Sequence, residues 1–323
     1  MDMMDHRRFF SPAIARTPGG SDFPVAVGEQ FPPLPPAATV TVGVIDTGFV
    51  LDADRLPHPW FADHVRFGDQ DEDRLGVGRG DAQDFGYLAD ADGHGSFVTG
   101  LILREAPRAR VIMCGVLDQG DTAADDALGA QDDVRVANAV RSLAQDSSVQ
   151  VINLSFGGGV FTSKAVPANL GEALAELDPG IAVVAAAGNN ASRRKVWPAA
   201  FDRVISVGAL DERRILPPGA TPPRATFSNH GKWVQAYAAG VQVLGPFVDY
   251  DETGNDLFGR RPAQHFRGWA RWSGTSFAAA TVSGRIAQTI IEVGGSGADA
   301  AASILAQART ISKAGAVWVR GNA

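Results

Sequence analysis

Short apolar runs alternate with segments of helical character along most of the chain. Six of these runs have the length and β-branched composition of buried parallel strands. They span Val40–Ile45, Arg110–Leu117, Val149–Phe156, Ile181–Ala186, Arg203–Val207 and Trp233–Ala236. The helical segments cover about 95–105, 133–145, 168–177, 276–293 and 297–309. This alternation predicts an α/β fold of three αβα layers, with a mostly parallel central sheet covered on both faces.

The beginning of the chain does not follow this alternation. Pro32-Pro33 and Pro35-Pro36 interrupt both helix and strand patterns, and glycines and charged residues are frequent before them. No second change of composition occurs later. The sequence therefore predicts an N-terminal extension over residues 1–38 and one folded domain over residues 39–323.

The segment from about 52 to 92 also fits the alternation poorly. It is polar, acidic and rich in glycine, and it is predicted to be a long surface excursion between the first strand and the first helix. Asp69, Asp71 and Asp73 alternate as in a calcium loop, but Arg74 breaks the EF-hand pattern, which requires glycine there. A looser calcium site and a solvated acidic loop both remain open.

Charge and composition narrow the class of protein. The chain has 29 basic and 36 acidic residues, a net charge of −7, and no concentrated basic patch, which argues against nucleic acid as the main partner. No segment approaches the roughly 20 apolar residues of a membrane span. Met1–Phe10 has no apolar core, so no secretory signal is predicted and the protein is expected to be cytoplasmic; a missing precursor segment would make it secreted.

Three side chains carry candidate chemistry. Asp46 ends the first apolar strand, at the edge where ligands gather in open α/β sheets, and a buried carboxylate there needs a partner. His94 lies between two glycines at the start of a predicted helix, and Ser276 begins a helix of small residues. Taken singly, these would be a turn aspartate, a surface histidine and a helix-capping serine.

Together, these residues have the types and order of a triad for acyl transfer. His94 would take the proton of Ser276 and later return it to the leaving amine, while Asp46 would hold the imidazole tautomer. Another apolar strand ends at Gly188-Asn189. The Asn189 amide and the Ser276 backbone N–H would then donate to the oxyanion of the tetrahedral intermediate.

These motifs resemble those of the subtilisin-like serine peptidases, the subtilase or peptidase S8 family. The matching stretches, in the family's order, are Asp-Thr-Gly at 46–48, His-Gly-Ser at 94–96, Ala-Ala-Gly-Asn at 186–189 and Gly-Thr-Ser at 274–276. The similarity runs from about residue 39 to 310. It implies a subtilisin-like fold in which Ser155, Phe156 and Gly157 pair with the substrate backbone. Gly188 would belong to the same binding site, and Trp197-Pro198-Ala199 resembles the family's cis-proline turn.

The resemblance implies a serine endopeptidase with a polypeptide substrate. The chain lacks the insertion that commonly forms the family's tight calcium site, so no metal ligands and no cofactor are predicted, apart from the open question of calcium. Charge and apolar run lengths predict no nucleic-acid or membrane partner, and a regulatory partner is not identified. Two other functions remain open. One is a peptide-ligating or macrocyclising transferase of the same fold, and the other is a pseudoprotease that binds peptide without chemistry.

The chain departs from the family pattern near the site. Phe97 stands where the family usually has a second histidine, and Ala280 stands where it usually has proline. The extension over residues 1–38 is too short for the folded pro-domain that secreted members carry. It is either a short inhibitory peptide lying across the cleft or a disordered tail.

Overall fold

The computed structural model describes residues 11–12, 24–28, 32–49, 58–68, 92–117, 126–157, 166–213, 217, 220–251, 264–310 and 316–321. These residues form a nine-stranded sheet, a three-stranded sheet and a two-stranded sheet, together with helices. The three-layer α/β fold with a mostly parallel sheet is confirmed.

The strands in these ranges are β1 Ser11–Pro12, β2 Val25–Ala26, β3 Thr41–Asp46, β4 Val65–Phe67, β5 Arg110–Gly115, β6 Val149–Leu154, β7 Phe156–Gly157, β8 Ala182–Ala186, β9 Ile205–Leu210, β10 Ala236–Ala239, β11 Val243–Asp251, β12 His265–Trp272, β13 Arg309–Thr310 and β14 Val317–Trp318. The helices are α1 His94–Glu105, α2 Asp126–Gln145, α3 Ala168–Glu176, α4 Thr275–Val293 and α5 Gly297–Gln307.

The large sheet has the order β13-β14-β10-β9-β8-β6-β3-β5-β4. Its pairs are parallel except β13 with β14. From β3 the chain passes to β4 at the edge of the sheet, comes back to β5 beside β3, and then crosses to β6 on the other side of β3, so the strand order reverses at β3. Ligands bind outside the carboxyl ends of strands at such a reversal. The topology therefore places a crevice at the end of β3, where Asp46 lies.

Helices cover the sheet on both faces, which explains why its strands are unbroken apolar runs. Val42 and Val44 of β3 join a buried cluster that includes α1 and α4. Ile152 and Leu154 of β6 join a second cluster that includes α2 and α3. Because successive side chains of a strand point to opposite faces of the sheet, each apolar strand contributes side chains to both clusters.

Helix α4 runs beneath the centre of the sheet. It packs against β6, β8, β9 and β10 on one side and against α1 on the other. Its small residues allow this approach, because a Cβ on Gly284 would lie 2.8 Å from the carbonyl oxygen of Ile102 in α1. The close packing that the small-residue sequence predicts is confirmed, and it fixes the start of α4 relative to α1.

The prediction of a surface excursion over 52–92 is wrong for its described part, residues 58–68. Trp60 and Phe61 are buried, and β4 extends the central sheet. Four apolar residues within eight positions make this short stretch a core segment, although the segment as a whole is polar. Asp69, Asp71 and Asp73 lie outside the described residues, so the looser calcium site and the solvated acidic loop both stay open.

The hairpin of β11 and β12 was not predicted, and β2 adds a third strand to it. His58 packs beneath this sheet, with its ring 5.1 Å from that of Trp269 in an edge-on arrangement. Burial lowers the pKa of His58 to about 4, so the imidazole stays neutral near neutral pH. Its Nδ1 accepts a hydrogen bond from the Trp60 N–H at 3.2 Å, and no charge enters the aromatic layer.

The described parts of the N-terminal extension lie on the domain. The Val27 N–H donates to Trp269 O at 3.4 Å, and the Ala38 N–H donates to Arg108 O at 2.6 Å. Further back, β1 pairs with β7. Throughout the described ranges, the helices are too short or too polar to cross a bilayer.

Candidate active site

The carboxyl ends of three neighbouring strands meet the beginnings of two helices at one edge of the sheet. Asp46 ends β3, Ser155 follows β6, and Asn189 follows β8. His94 begins α1, and Ser276 is the second residue of α4. The structure therefore brings together residues that are separated by up to 230 positions in the sequence.

Asp46 and His94 form a buried pair. The distance between Asp46 Oδ1 and His94 Nδ1 is 2.7 Å, and neither side chain is exposed to solvent. The Thr47 N–H donates to the same carboxylate oxygen at 2.7 Å. A carboxylate acceptor at Nδ1 assigns the proton to that nitrogen and leaves Nε2 as a base. Among the described residues, His94 Nε2 is buried without a hydrogen-bond partner.

The two glycines beside His94 each meet a separate backbone requirement. Gly93 has φ of 74°, in the left-handed region that favours glycine. A Cβ on Gly95 would lie 2.3 Å from the carbonyl oxygen of Gly48, which cannot move without displacing the end of β3. The backbones of the two motifs are therefore in contact, and this contact sets the distance between Asp46 and His94.

Aromatic rings enclose the imidazole. The His94 ring centroid lies 5.9 Å from that of Trp272 and 5.5 Å from that of Phe277. Phe97, at the position where the family usually has histidine, packs its ring 4.7 Å from that of Phe277. These rings exclude water from the pair, which strengthens the attraction between the Asp46 carboxylate and any positive charge on His94.

A ladder of hydrogen bonds ties the start of α4 to the end of β6. Ser276 Oγ donates to Ser155 O at 2.7 Å, and Ser155 Oγ donates to Ser276 O at 2.9 Å. The Asn153 amide donates to Ser155 Oγ at 2.8 Å, and Ser283 Oγ donates to Asn153 Oδ1 at 3.0 Å. Sequence reasoning gave Asn153 and Ser283 no role in this ladder. The available signal was an asparagine inside an apolar strand.

The Ser276 hydroxyl is not bonded to His94 in this structure. It donates to the Ser155 carbonyl, while His94 Nε2 has no partner among the described residues. A rotation about the Cα–Cβ bond of Ser276 changes the direction of the hydroxyl without moving the backbone. Catalytic hydrogen bonds commonly tighten only when substrate binds.

Asn189 is held through its oxygen and not through its nitrogen. Its Oδ1 accepts from the Thr275 N–H at 3.0 Å, and the Gly188 N–H donates to Thr275 Oγ1 at 3.0 Å. These bonds orient the amide beside Ser276. Asn189 Nδ2 is buried and lacks a hydrogen-bond acceptor within the described ranges. A buried donor without an acceptor is costly, and it suits a site where an oxyanion forms during reaction.

Strand β7 offers its backbone to an extended peptide. Ser11 and Pro12 of β1 pair with it in antiparallel fashion, with Ser11 opposite Gly157 and Pro12 opposite Phe156. This is the strand that the resemblance assigns to substrate pairing. Nearby, the peptide bond between Trp197 and Pro198 is cis, which confirms the predicted turn.

The described residues give no sign of a metal centre. They contain no group of three or more His, Cys, Asp or Glu side chains positioned to hold an ion. The chemistry that these residues can perform is proton transfer, nucleophilic attack and hydrogen bonding to developing charge.

Known proteins are similar to this chain in sequence. The model of the subtilase family, peptidase S8, matches residues 37–314. A thermophilic serine proteinase of Bacillus sp. (strain AK1) is 32% identical over 205 residues, which are 60% of this chain and 42% of that protein. A cuticle-degrading serine protease of Arthrobotrys oligospora is 27% identical over 243 residues, 73% of this chain and 51% of that protein. The chain thus spans only about half, or less, of the length of these curated relatives.

Solved structures show the same fold. The patellamide maturation protease PatA aligns with a TM-score of 0.60 at 20% identity, over 89% of this chain and 95% of that chain. A cold adapted subtilisin-like serine proteinase aligns with a TM-score of 0.59 at 22% identity, over 88% of this chain and 89% of that chain. At these identities the likeness concerns the fold.

Proposed function

The chain belongs to the subtilase family, and from this premise we propose that it is a serine endopeptidase that hydrolyses polypeptides through an acyl-enzyme on Ser276. One observation carries the proposal: Asp46 and His94 form a buried pair, and His94 Nε2 has no hydrogen-bond partner in the part of the chain that the structure describes. Phe277, the residue after Ser276, packs against the same imidazole. Because Nε2 of His94 makes no hydrogen bond to another described residue, this nitrogen is available to take a proton from Ser276.

The reaction follows from the positions of the groups. Ser276 Oγ attacks the peptide carbonyl carbon while its proton passes to His94 Nε2. The buried Asp46 carboxylate stabilises the imidazolium that results. His94 then protonates the leaving amine, the C–N bond breaks, and the acyl group stays on Ser276. Water, deprotonated by His94, attacks the ester and releases the acid product and free Ser276.

The oxyanion of each tetrahedral intermediate would accept hydrogen bonds from Asn189 Nδ2 and from the Ser276 N–H. The hydrogen bond from Thr275 to Asn189 Oδ1 holds the amide in place before substrate arrives. The donor therefore needs no reorganisation when charge develops, which is the condition for a large electrostatic contribution.

Replacing Asn189 by alanine is expected to lower kcat by about 10²–10³-fold with little change in KM, because the donor acts mainly on the transition state. That magnitude comes from the corresponding asparagine of subtilisin. Steady-state hydrolysis of a chromogenic peptide measures it. Asn169→Ala, the same change at an exposed helix position, is the control. An Asn189→Ala enzyme with wild-type kcat would refute the assignment.

Covalent labelling tests the proposed function directly. A fluorophosphonate should add its mass to the wild-type chain at Ser276 and should leave the folded Ser276→Ala variant unlabelled. With peptide substrates, hydrolysis gives fragments whose masses sum to substrate plus water, whereas a transferase gives ligated or cyclic products without added water. If the folded wild-type protein is not labelled and cleaves no peptide, the pseudoprotease alternative stands instead.

We also propose that the N-terminal extension competes with substrate for β7. The antiparallel pairing of Ser11–Pro12 with Phe156–Gly157 supports this, because it uses the backbone groups that a bound peptide would need. A tethered segment acts at an effective concentration of about the millimolar range, so it can compete with weakly bound peptides.

A chain that begins at Pro24 separates this competition from the rest of the extension. It removes β1 but keeps β2, which is paired with the hairpin. We expect KM to fall several-fold relative to the full chain while kcat stays similar. A synthetic peptide of residues 1–20 should inhibit the shortened chain competitively. Equal KM for the two chains, with no inhibition by the peptide, would contradict the proposal.

A further inference from the structure

Two glycines face a common space beside Ser276. Gly157 ends β7, directly after the Ser155–Phe156 pair that contacts Ser276 and β1. Gly188 precedes Asn189, and its N–H donates to Thr275 Oγ1 at 3.0 Å. Both backbones are thus fixed to the start of α4. Neither glycine places a side chain of its own in the space between them.

Val196 and Asn229 occupy this space. A Cβ on Gly157 would lie 2.7 Å from Val196 Cγ1, whereas a Cβ on Gly188 would lie 2.7 Å from Asn229 Nδ2 and 3.7 Å from Val196 Cγ2. The two methyl groups of one valine therefore contact both glycine segments. Val196 is only 3% exposed, so its side chain is enclosed in this position.

Val196 is a buried apolar residue, yet it belongs to none of the three larger apolar clusters formed by the described residues. Its backbone is nevertheless held, because the Ala200 N–H donates to Val196 O at 2.9 Å and the cis peptide bond at Pro198 follows. The Trp197 ring also packs 4.4 Å from that of Phe201. Val196 is therefore held outside the three clusters and between two backbones of the site, where it can limit the size of a bound substrate side chain.

The space is where one substrate side chain must go. We call the substrate residue whose carbonyl carbon is attacked the acyl residue. Its carbonyl carbon must reach Ser276 Oγ, its oxygen must reach Asn189 Nδ2, and its backbone continues along β7. The acyl residue therefore lies between Ser155 and Gly188. Its side chain enters the gap between Gly157 and Gly188 that the valine methyl groups occupy.

We propose that Val196 closes this pocket, so that the enzyme cleaves after glycine, alanine or serine and rejects large acyl residues. The inference rests on the proposed peptidase function and names its substrate class. A pocket without room for extra methylene groups discriminates by about 10–200-fold for each group that it excludes. We therefore expect kcat/KM for an alanine peptide to exceed that for the matched phenylalanine peptide by at least about 100-fold.

Kinetics with a peptide pair, identical except for alanine or phenylalanine at the acyl residue, tests the proposal. Val196→Ala should lower the alanine-to-phenylalanine ratio of kcat/KM by about tenfold or more, because it removes the two methyl groups that fill the gap. Val204→Ala is the matched control. It loses the same two methyl groups from a fully buried site in the second apolar cluster, and it should leave the ratio unchanged.

Binding to the Ser276→Ala variant gives a readout without chemistry. Calorimetry with the same two peptides should show weaker binding of the phenylalanine peptide, and the added Val196→Ala change should reduce the difference. If wild type is labelled by a fluorophosphonate but cleaves and binds both peptides equally, the pocket proposal is overturned and the peptidase function stands. If neither labelling nor cleavage occurs while the binding difference persists, the peptidase function fails and Val196 still selects the bound peptide.

Discussion

Replacing Ser276 by alanine is expected to lower kcat by about 10⁶-fold, the size of the effect that the corresponding serine has in subtilisin. The variant loses the only atom that can form the acyl-enzyme, while Asn189 and β7 remain to bind and polarise the carbonyl. The small residual rate over uncatalysed hydrolysis should come from those groups. Progress curves at high enzyme concentration, with fragments identified by mass, measure it.

Ser283→Ala is the matched control for this prediction. Ser283 lies on the same helix, is equally buried, and donates to Asn153 Oδ1 at 3.0 Å. Its loss removes one hydroxyl from the ladder behind the site, and kcat should fall by about tenfold at most, because one neutral hydrogen bond contributes about 1 kcal/mol. Equal losses in the two variants would mean that Ser276 acts through packing and not as the nucleophile.

Asp46→Asn is expected to lower kcat by about 10⁴-fold, as the same change does in other enzymes with this triad. The carboxylate accepts a hydrogen bond from His94 Nδ1–H, with Nδ1 and Oδ1 2.7 Å apart, whereas the asparagine amide can present its N–H₂ group to that nitrogen. Nδ1 would then become the acceptor and Nε2 would carry the proton, so His94 could not take the proton of Ser276. The imidazolium would also lose its counter-charge.

Separate measurements of KM and kcat for the folded variant distinguish this effect from unfolding. In the folded variant, KM should stay near its wild-type value while kcat falls. Asp133→Asn is the control, because it neutralises another buried carboxylate that accepts the N–H groups of Asn169 and Leu170 at the start of α3. That change should lower the melting temperature and leave kcat of the folded protein close to wild type. A matching 10⁴-fold loss in Asp133→Asn would contradict the role of Asp46.

The sequence was most informative where local pattern and burial agree. All five predicted helices are present, and four of them match to within about two residues, because their apolar periodicity reflects a covered face. The helix predicted at 133–145 begins already at Asp126, and the parallel strands β4 and β14 were not predicted. The predicted strand Val149–Phe156 is interrupted at Ser155, whose backbone and hydroxyl both bond to Ser276. The strand at Trp233–Ala236 begins only at Ala236, because the Val234 N–H donates to Gly231 O in a turn.

Long-range pairing left much weaker signals. The hairpin of β11 and β12 was missed because its strands hold glycine, proline and charged residues and are stabilised by each other and by α1. The candidate triad was found through motifs, and the structure places Asp46 and His94 in contact. The direction of the Ser276 hydroxyl depends on a carbonyl 121 positions away, and no spacing in the sequence contains that information.

Helix α4 has a consequence for how such an enzyme can diverge. From Thr275 to Gly284 every residue of the helix is buried, and the helix contacts five strands and α1. Most substitutions in this part of α4 would destabilise the core. The sequence around Ser276 is therefore constrained by the fold as well as by the proposed chemistry. Val196 lies outside the buried clusters and can change at little cost to them. Under the roles proposed for Ser276 and Val196, single substitutions at Val196 would change the substrates of a descendant while its reaction stayed the same.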